Sequence, residues 1–121
     1  MKRILLVLGI VVLLTGCNNP GKESFELGRQ LERQGRVDEA ITLYEDAIVK
    51  EQDNQEYRAV LASARSAAAA RFVEQGRKRL QGTEITYDQL RTAQLDVDKA
   101  LKADPYNSDA KVLASSVKSQ M

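Results

Sequence analysis

Residues 27–47 read LGRQLERQGRVDEAITLYEDA, and the reading of this stretch decides the fold. Gly35 divides it. On the N-terminal side, Leu27, Gly28 and Leu31 share one face of a helix predicted from Glu23 to Gln34, with Gly35 placed as its closing residue. On the C-terminal side, Val37, Ala40, Ile41, Tyr44, Ala47 and Ile48 recur at helical spacing as far as Glu51. Asp38 and Glu39 fall in the first turn of that second helix, where the backbone dipole favours acids. Two amphipathic helices joined by a tight glycine turn fold back antiparallel, so the unit is a helical hairpin.

Working outward, the rest of the chain repeats the same kind of element. A third helix is predicted from Asn54 to about Leu80, with Asp53 as its N-cap and Glu56 completing the box. Tyr57, Leu61, Ala64, Ala68 and Phe72 follow one stripe along it, and Ala67 to Ala70 keep it slim. A loop over Gln81 to Ile85 leads to Thr86, an N-cap with Gln89 as box partner, and to a fourth helix from Tyr87 to Ala103. Pro105 ends it, because proline disfavours the helical conformation in the residue before it. A fifth helix from Ser108 to Gln120 has a narrow stripe of Ala110, Leu113, Ala114 and Val117, as suits a terminal cap with one wet side. No segment alternates as a strand would. The expected class is all-α, with an elongated third helix and a C-terminal capping helix over residues 24–121.

The spacing in 27–47, Leu-Gly-x2-Leu-x8-Ala-x3-Tyr-x2-Ala, resembles a tetratricopeptide repeat, whose unit is a 34-residue helix–turn–helix. Ala93, Val97, Ala100 and Asp104-Pro105 look like the second helix of a degenerate second copy, with Gly76 as the small residue of its first helix. The copies are out of step, since Ala47 and Ala100 lie 53 residues apart, 19 more than one period. The resemblance implies an antiparallel solenoid of helix pairs and a protein-binding role. Its groove positions in the first copy would be Lys22, Phe25, Arg29, Glu32 and Arg33. Phe25 is off the Leu27–Leu31 stripe; it stands either exposed beside two arginines, suiting a peptide with an acidic or C-terminal carboxylate, or folded against the third helix.

The N-terminus carries a different message. Lys2 and Arg3 precede an unbroken apolar run from Ile4 to Leu14, then Thr15, Gly16 and Cys17, the chain's one cysteine. Eleven apolar residues fall short of the roughly 20 a spanning helix needs, so residues 1–16 read as a secretory signal. Leu14-Thr15-Gly16-Cys17 resembles the lipobox of bacterial lipoproteins. That resemblance implies diacylglyceryl transfer to the Cys17 thiol, cleavage before it and acylation of the new amine. Residues 17–23, with Pro20 and Gly21, are expected to form the lipidated cysteine and a flexible tether. Asn18 follows the cysteine where lipoproteins retained at the inner membrane often carry Asp. By that analogy the protein faces the periplasm from the outer membrane.

A narrower resemblance joins these parts. Lipobox, tether, one repeat, then Glu56-Tyr57-Arg58-x2-Leu61-x2-Ala64-Arg65, an alanine-rich helix and a closing Asp-Pro-x-Asn are similar to the N-terminal region of secretin-type secretion lipoproteins. The ring domain that follows in those proteins has no counterpart before Met121.

Composition narrows the function further. Cleavage before Cys17 leaves 105 residues, enough for one small domain, with 16 basic against 17 acidic side chains. That balance gives nucleic acid and anionic lipid little hold. There is no histidine or tryptophan, and lipidation of Cys17 would leave no thiol, so packing alone must hold the fold. Glu32, Asp38, Glu39, Glu45 and Asp46 take spacings that put them on wet faces, and no nucleophile motif or phosphate loop is present. Arg71, Arg77, Lys78 and Arg79 lie near a helix end, where cations suit the dipole; the alternative role for them is contact with lipid headgroups or an acidic partner. The expectation is a non-enzymatic, lipid-anchored adaptor without cofactor, metal, nucleic acid or small-molecule substrate. It would bind protein partners in the cell envelope, in assembly of a secretion or pilus system or, alternatively, as a scaffold for cell-wall enzymes.

Overall fold

The computed structural model describes residues 19–121, and within them the chain forms five α-helices and no strand. The signal segment 1–16 and the lipidation expected at Cys17 lie outside the described residues. The helices are α1 (Lys22–Arg33), α2 (Val37–Lys50), α3 (Gln55–Arg79), α4 (Tyr87–Ala103) and α5 (Ser108–Gln120).

Local chemistry sets most of the boundaries. Gly35 adopts φ +79°, open to glycine at little cost. Its N–H donates to Glu32 O and that of Arg36 to Leu31 O, both at 2.9 Å, so the last carbonyls of α1 are satisfied as the chain reverses. Thr86 and Gln89 close a reciprocal capping box on α4. Asn107 caps α5 by accepting from Ala110 N at 2.9 Å. One expected cap is corrected: Asn54, not Asp53, starts α3, its Oδ1 accepting from Tyr57 N at 3.1 Å. Asn54 is the residue with extended φ/ψ directly before the helix, which is where an N-cap must sit.

The described part of the expected tether, residues 19–23, differs from a free linker. Lys22 and Glu23 already belong to α1, and Gly21 is buried with its N–H donating to Glu51 Oε2 at 3.0 Å. A Cβ on Gly21 would lie 2.7 Å from Ala47 O, so glycine here serves close packing rather than freedom.

The core lies in two clusters strung along α3. Phe25, Ala40, Tyr44, Ala47, Tyr57, Leu61 and Ala64 bury together where α1, α2 and the first half of α3 meet. Ala69, Val73, Leu90, Ala93, Val97, Ala100, Ala110, Leu113 and Val117 do so where the second half of α3 meets α4 and α5. The buried side of α3 therefore turns partway. Tyr57, Leu61, Ala64 and Ala68 mark the first face; Ala69, Val73 and Gly76 mark a second, roughly 110° further round at about 100° per residue. The single stripe ending at Phe72 is thus replaced by two faces, and Phe72 is left half-buried at their junction.

Two glycines let the hairpins close. A Cβ on Gly28 would meet the Tyr44 ring at 2.7 Å and Ala40 O at 3.3 Å; one on Gly76 would meet Leu113 Cδ2 at 2.8 Å and Ala93 O at 3.7 Å. Gly76 thus plays in the α3–α4 hairpin the part Gly28 plays in α1–α2. The obstacles differ. Tyr44 is fully buried, wedged against Phe25 and hydrogen-bonded to Glu32, whereas Leu113 Cδ2 is the end of a rotatable chain. Alanine gains about 0.8–1 kcal/mol of helix propensity over glycine, and overpacking costs about 1–3 kcal/mol. Gly28→Ala is therefore expected to lower stability by about 1–2 kcal/mol. Gly76→Ala should stay within about 1 kcal/mol of the parent. Urea unfolding followed by circular dichroism checks the difference.

Candidate protein-binding site

The face of α1 that packs inward is set by its aromatic residue. Phe25 is 4% exposed, stacked on Tyr57 with ring centroids 4.3 Å apart and tilted against Tyr44 at 5.6 Å. Ser24 and Gly28 are buried with it, whereas Leu27 is 45% exposed. Of the expected Leu27–Gly28–Leu31 face, only Leu27 is corrected, since Gly28 is buried and Leu31 packs half-buried against the core; Phe25 is withdrawn from the exposed groove. The reason is physical. An aromatic ring sandwiched between two others removes more apolar surface than a leucine on a side that α2 and α3 leave uncovered.

The remaining expected residues divide. Arg29, Glu32 and Arg33, at helical spacing on α1, line a cleft of about 460 Å3 against Val60 and Ser63 of α3. Lys22 lies apart, beside Glu26, Glu51 and Glu56 at the end where α1 begins. Val60 and Ser63 were missed from sequence. Their signal is their offset of three and six residues from Tyr57, which puts them beside the buried stripe on the α1 side.

Electrostatics in the cleft are organised from beneath. The Tyr44 hydroxyl donates to Glu32 Oε2, holding that carboxylate in the cleft, and the Arg29 guanidinium lies 5.7 Å from the Phe25 ring centroid. Arg33 has no ion pair among the described residues. Burial, then the Glu32 hydrogen bond and charge, raises the Tyr44 pKa far above its usual value. Burial, then the Glu51 carboxylate, raises that of Tyr57. Nearby, Ser24 donates to Asp46, whose carboxyl is held below its ordinary range by the Lys50 ammonium and this hydroxyl.

The two tyrosines make stability sensitive to alkali. A folded-state pKa above the unfolded one means full stability below the free tyrosine value near 10, lost as pH rises from there. The urea midpoint is expected to fall as pH rises above about 10. Tyr44→Phe should make the fall shallower by removing one of the two groups; an unchanged slope would contradict this account.

The basic end of α3 is engaged locally: Arg77 with Asp109 at 3.5 Å, Lys78 with Glu74 at 3.9 Å and Arg79 with Asp96 at 2.5 Å. Asp96 is 2% exposed, so it departs from the expectation that carboxylates lie on wet faces. Its charge is matched across the hairpin by Arg79. Among the described residues no group of three or more acidic, cysteine or histidine side chains could hold a metal, and no helix is long and apolar enough to cross a membrane.

Comparison with known families supplies two matches. Residues 22–64 match the tetratricopeptide repeat, covering α1, α2 and the first half of α3. Residues 1–18 match the prokaryotic membrane lipoprotein lipid attachment site, a span that contains Cys17. The chain carries a lipoprotein attachment site and a tetratricopeptide repeat. The first supports lipid anchoring to a bacterial membrane; the second is typically a non-catalytic module of protein–protein interaction. The repeat match ends about one helical turn before the buried face of α3 changes side, so the second half of α3 with α4 and α5 lies outside it. No curated protein and no solved structure matches the chain.

Proposed function

We propose that this protein is a lipid-anchored adaptor of the bacterial cell envelope. In this reading it is acylated at Cys17, faces the periplasm from the outer membrane and holds a protein partner for assembly of an envelope complex such as a secretion or pilus system. It has no catalytic part in that assembly. The observation that carries the reading is the adjacency of anchor and binding module. Only four residues lie between Cys17 and Lys22, the first residue of α1, a reach of at most about 17 Å. Fold and membrane are therefore held together, and confinement at a surface raises effective concentration enough to make weak docking useful.

The cleft of Arg29, Glu32 and Arg33 is the proposed docking surface, with Lys22 as an outlying contact. Arg33 and Arg29 suit a carboxylate, and Val60 offers an apolar wall. A photo-crosslinking residue at Ser63, in cells, tests this. The expected result is capture of an envelope protein that is lost on Arg29→Glu with Arg33→Glu. Secretin or pilus subunits support the assembly role; murein hydrolases or synthases transfer the reading to a scaffold for cell-wall enzymes. Capture no stronger than from exposed Val49 on α2 would overturn it.

A further inference from the structure

The elongated α3 opens a second groove that the repeat pattern does not contain. α2 packs on its first half and α4 on its second, so the start of α2 and the end of α4 approach the middle of α3 without packing along one another. Between them lies a space of about 770 Å3 floored by the half-buried ring of Phe72. Ile41 and Thr42 of α2 form one wall; Lys99 and Lys102 of α4, with Pro105 beyond it, form the other. The volume is within the usual range of about 300–1,000 Å3 for ligand pockets.

Charge decides what fits. On the α2 side, Glu45 is closed off by Arg65 at 2.5 Å. That leaves Asp38 facing cations that have no ion pair among the described residues. Lys99 and Arg71 each lie 5.8 Å from the Phe72 centroid, and Lys102 stands one helical turn beyond Lys99. Cations over the face of an aromatic ring leave its edge and the neighbouring Ile41 for apolar contact while presenting positive charge above it.

We infer that this groove docks an acidic segment of a partner protein, with one large apolar side chain seated on Phe72 and its carboxylates on Lys99 and Lys102. The inference rests on the adaptor reading and gives it a second, independent contact that shares no lining residue with the Arg29 cleft. Docking here would engage both core clusters at once, since its walls come from α2 and α4.

The test uses the full-length lipidated protein in detergent and two fluorescent hexapeptides, EDLFDE and KRLFRK, read by anisotropy. Saturable binding of EDLFDE but not of KRLFRK is expected. Lys99→Glu with Lys102→Glu should weaken it at least about tenfold, because two attractive contacts become repulsive. Both lysines are exposed, so the fold is unaffected, which circular dichroism verifies. Arg29→Glu with Arg33→Glu should leave this binding unchanged. Absence of EDLFDE binding, equal binding of both peptides, or indifference to the lysine reversals overturns the inference. If binding follows Arg29 and Arg33 instead, the groove is wrong and the adaptor reading stands. If Ser63 crosslinking fails while EDLFDE binds through the lysines, the first cleft is wrong and the groove stands.

Discussion

Replacing Ala67 by proline is expected to unfold the domain, while Ala67→Gly leaves it folded. Ala67 is exposed on α3, so neither change removes a core contact. Glycine costs about 1 kcal/mol in a helix interior. Proline removes a backbone hydrogen bond and clashes with the preceding turn, costing about 3 kcal/mol or more. A small domain holds only about 5–15 kcal/mol in total. The break also falls between the two core clusters, which are joined through α3. Residues 19–66 and 68–121 are each about 50 residues long, and chains of that size bury too little surface to be more than marginal alone. The proline variant should therefore lose most helical ellipticity and its cooperative urea transition, and the glycine variant should keep both with a lower midpoint. A proline variant that unfolds cooperatively near the glycine midpoint would show that the two clusters do not depend on a continuous α3.

That dependence explains which parts of the fold could be read in advance. The hairpin over 27–47, the glycine stop at Gly35, the Thr86–Gln89 box and the proline stop at 104–105 are local matters of period and capping, and they stand as expected. What period cannot say is which neighbour covers a face. α3 has apolar residues on two sides because different helices cover its two halves, and a single stripe averages them. Phe25 and Leu27 both had claims to the core. The choice fell to Phe25 because Tyr44 and Tyr57, 19 and 32 residues away, bring it aromatic partners. Asp96 sits one position from Val97 on the buried side of α4, and only the fold brings Arg79 to it. The candidate cleft shows the same division. Arg29, Glu32 and Arg33 are neighbours by helical spacing alone, but their opposite wall, Val60 and Ser63, belongs to another helix.

Removing the anchor should have the largest effect of all on where the protein works. With residues 1–16 exchanged for an ordinary cleavable secretory signal and Cys17 replaced by alanine, the protein is expected to move entirely from the membrane to the soluble periplasmic fraction. Exchange of the signal matters, because an uncut precursor would keep the apolar Ile4–Leu14 run and could stay membrane-bound for that reason alone. One acyl chain gives only marginal attachment, at about 0.8 kcal/mol per buried CH₂, and two or more make it stable. Partner capture at Ser63 should fall with it, although the Arg29 cleft is untouched, because the loss is one of effective concentration; that contribution to avidity is about 10²- to 10⁴-fold. Fractionation with mass spectrometry of the N-terminal peptide reads the first effect, and crosslinking yield reads the second. A released protein that captures its partner at the anchored yield would show that docking is strong without the membrane. A variant that stays in the membrane fraction would place the attachment elsewhere than on Cys17.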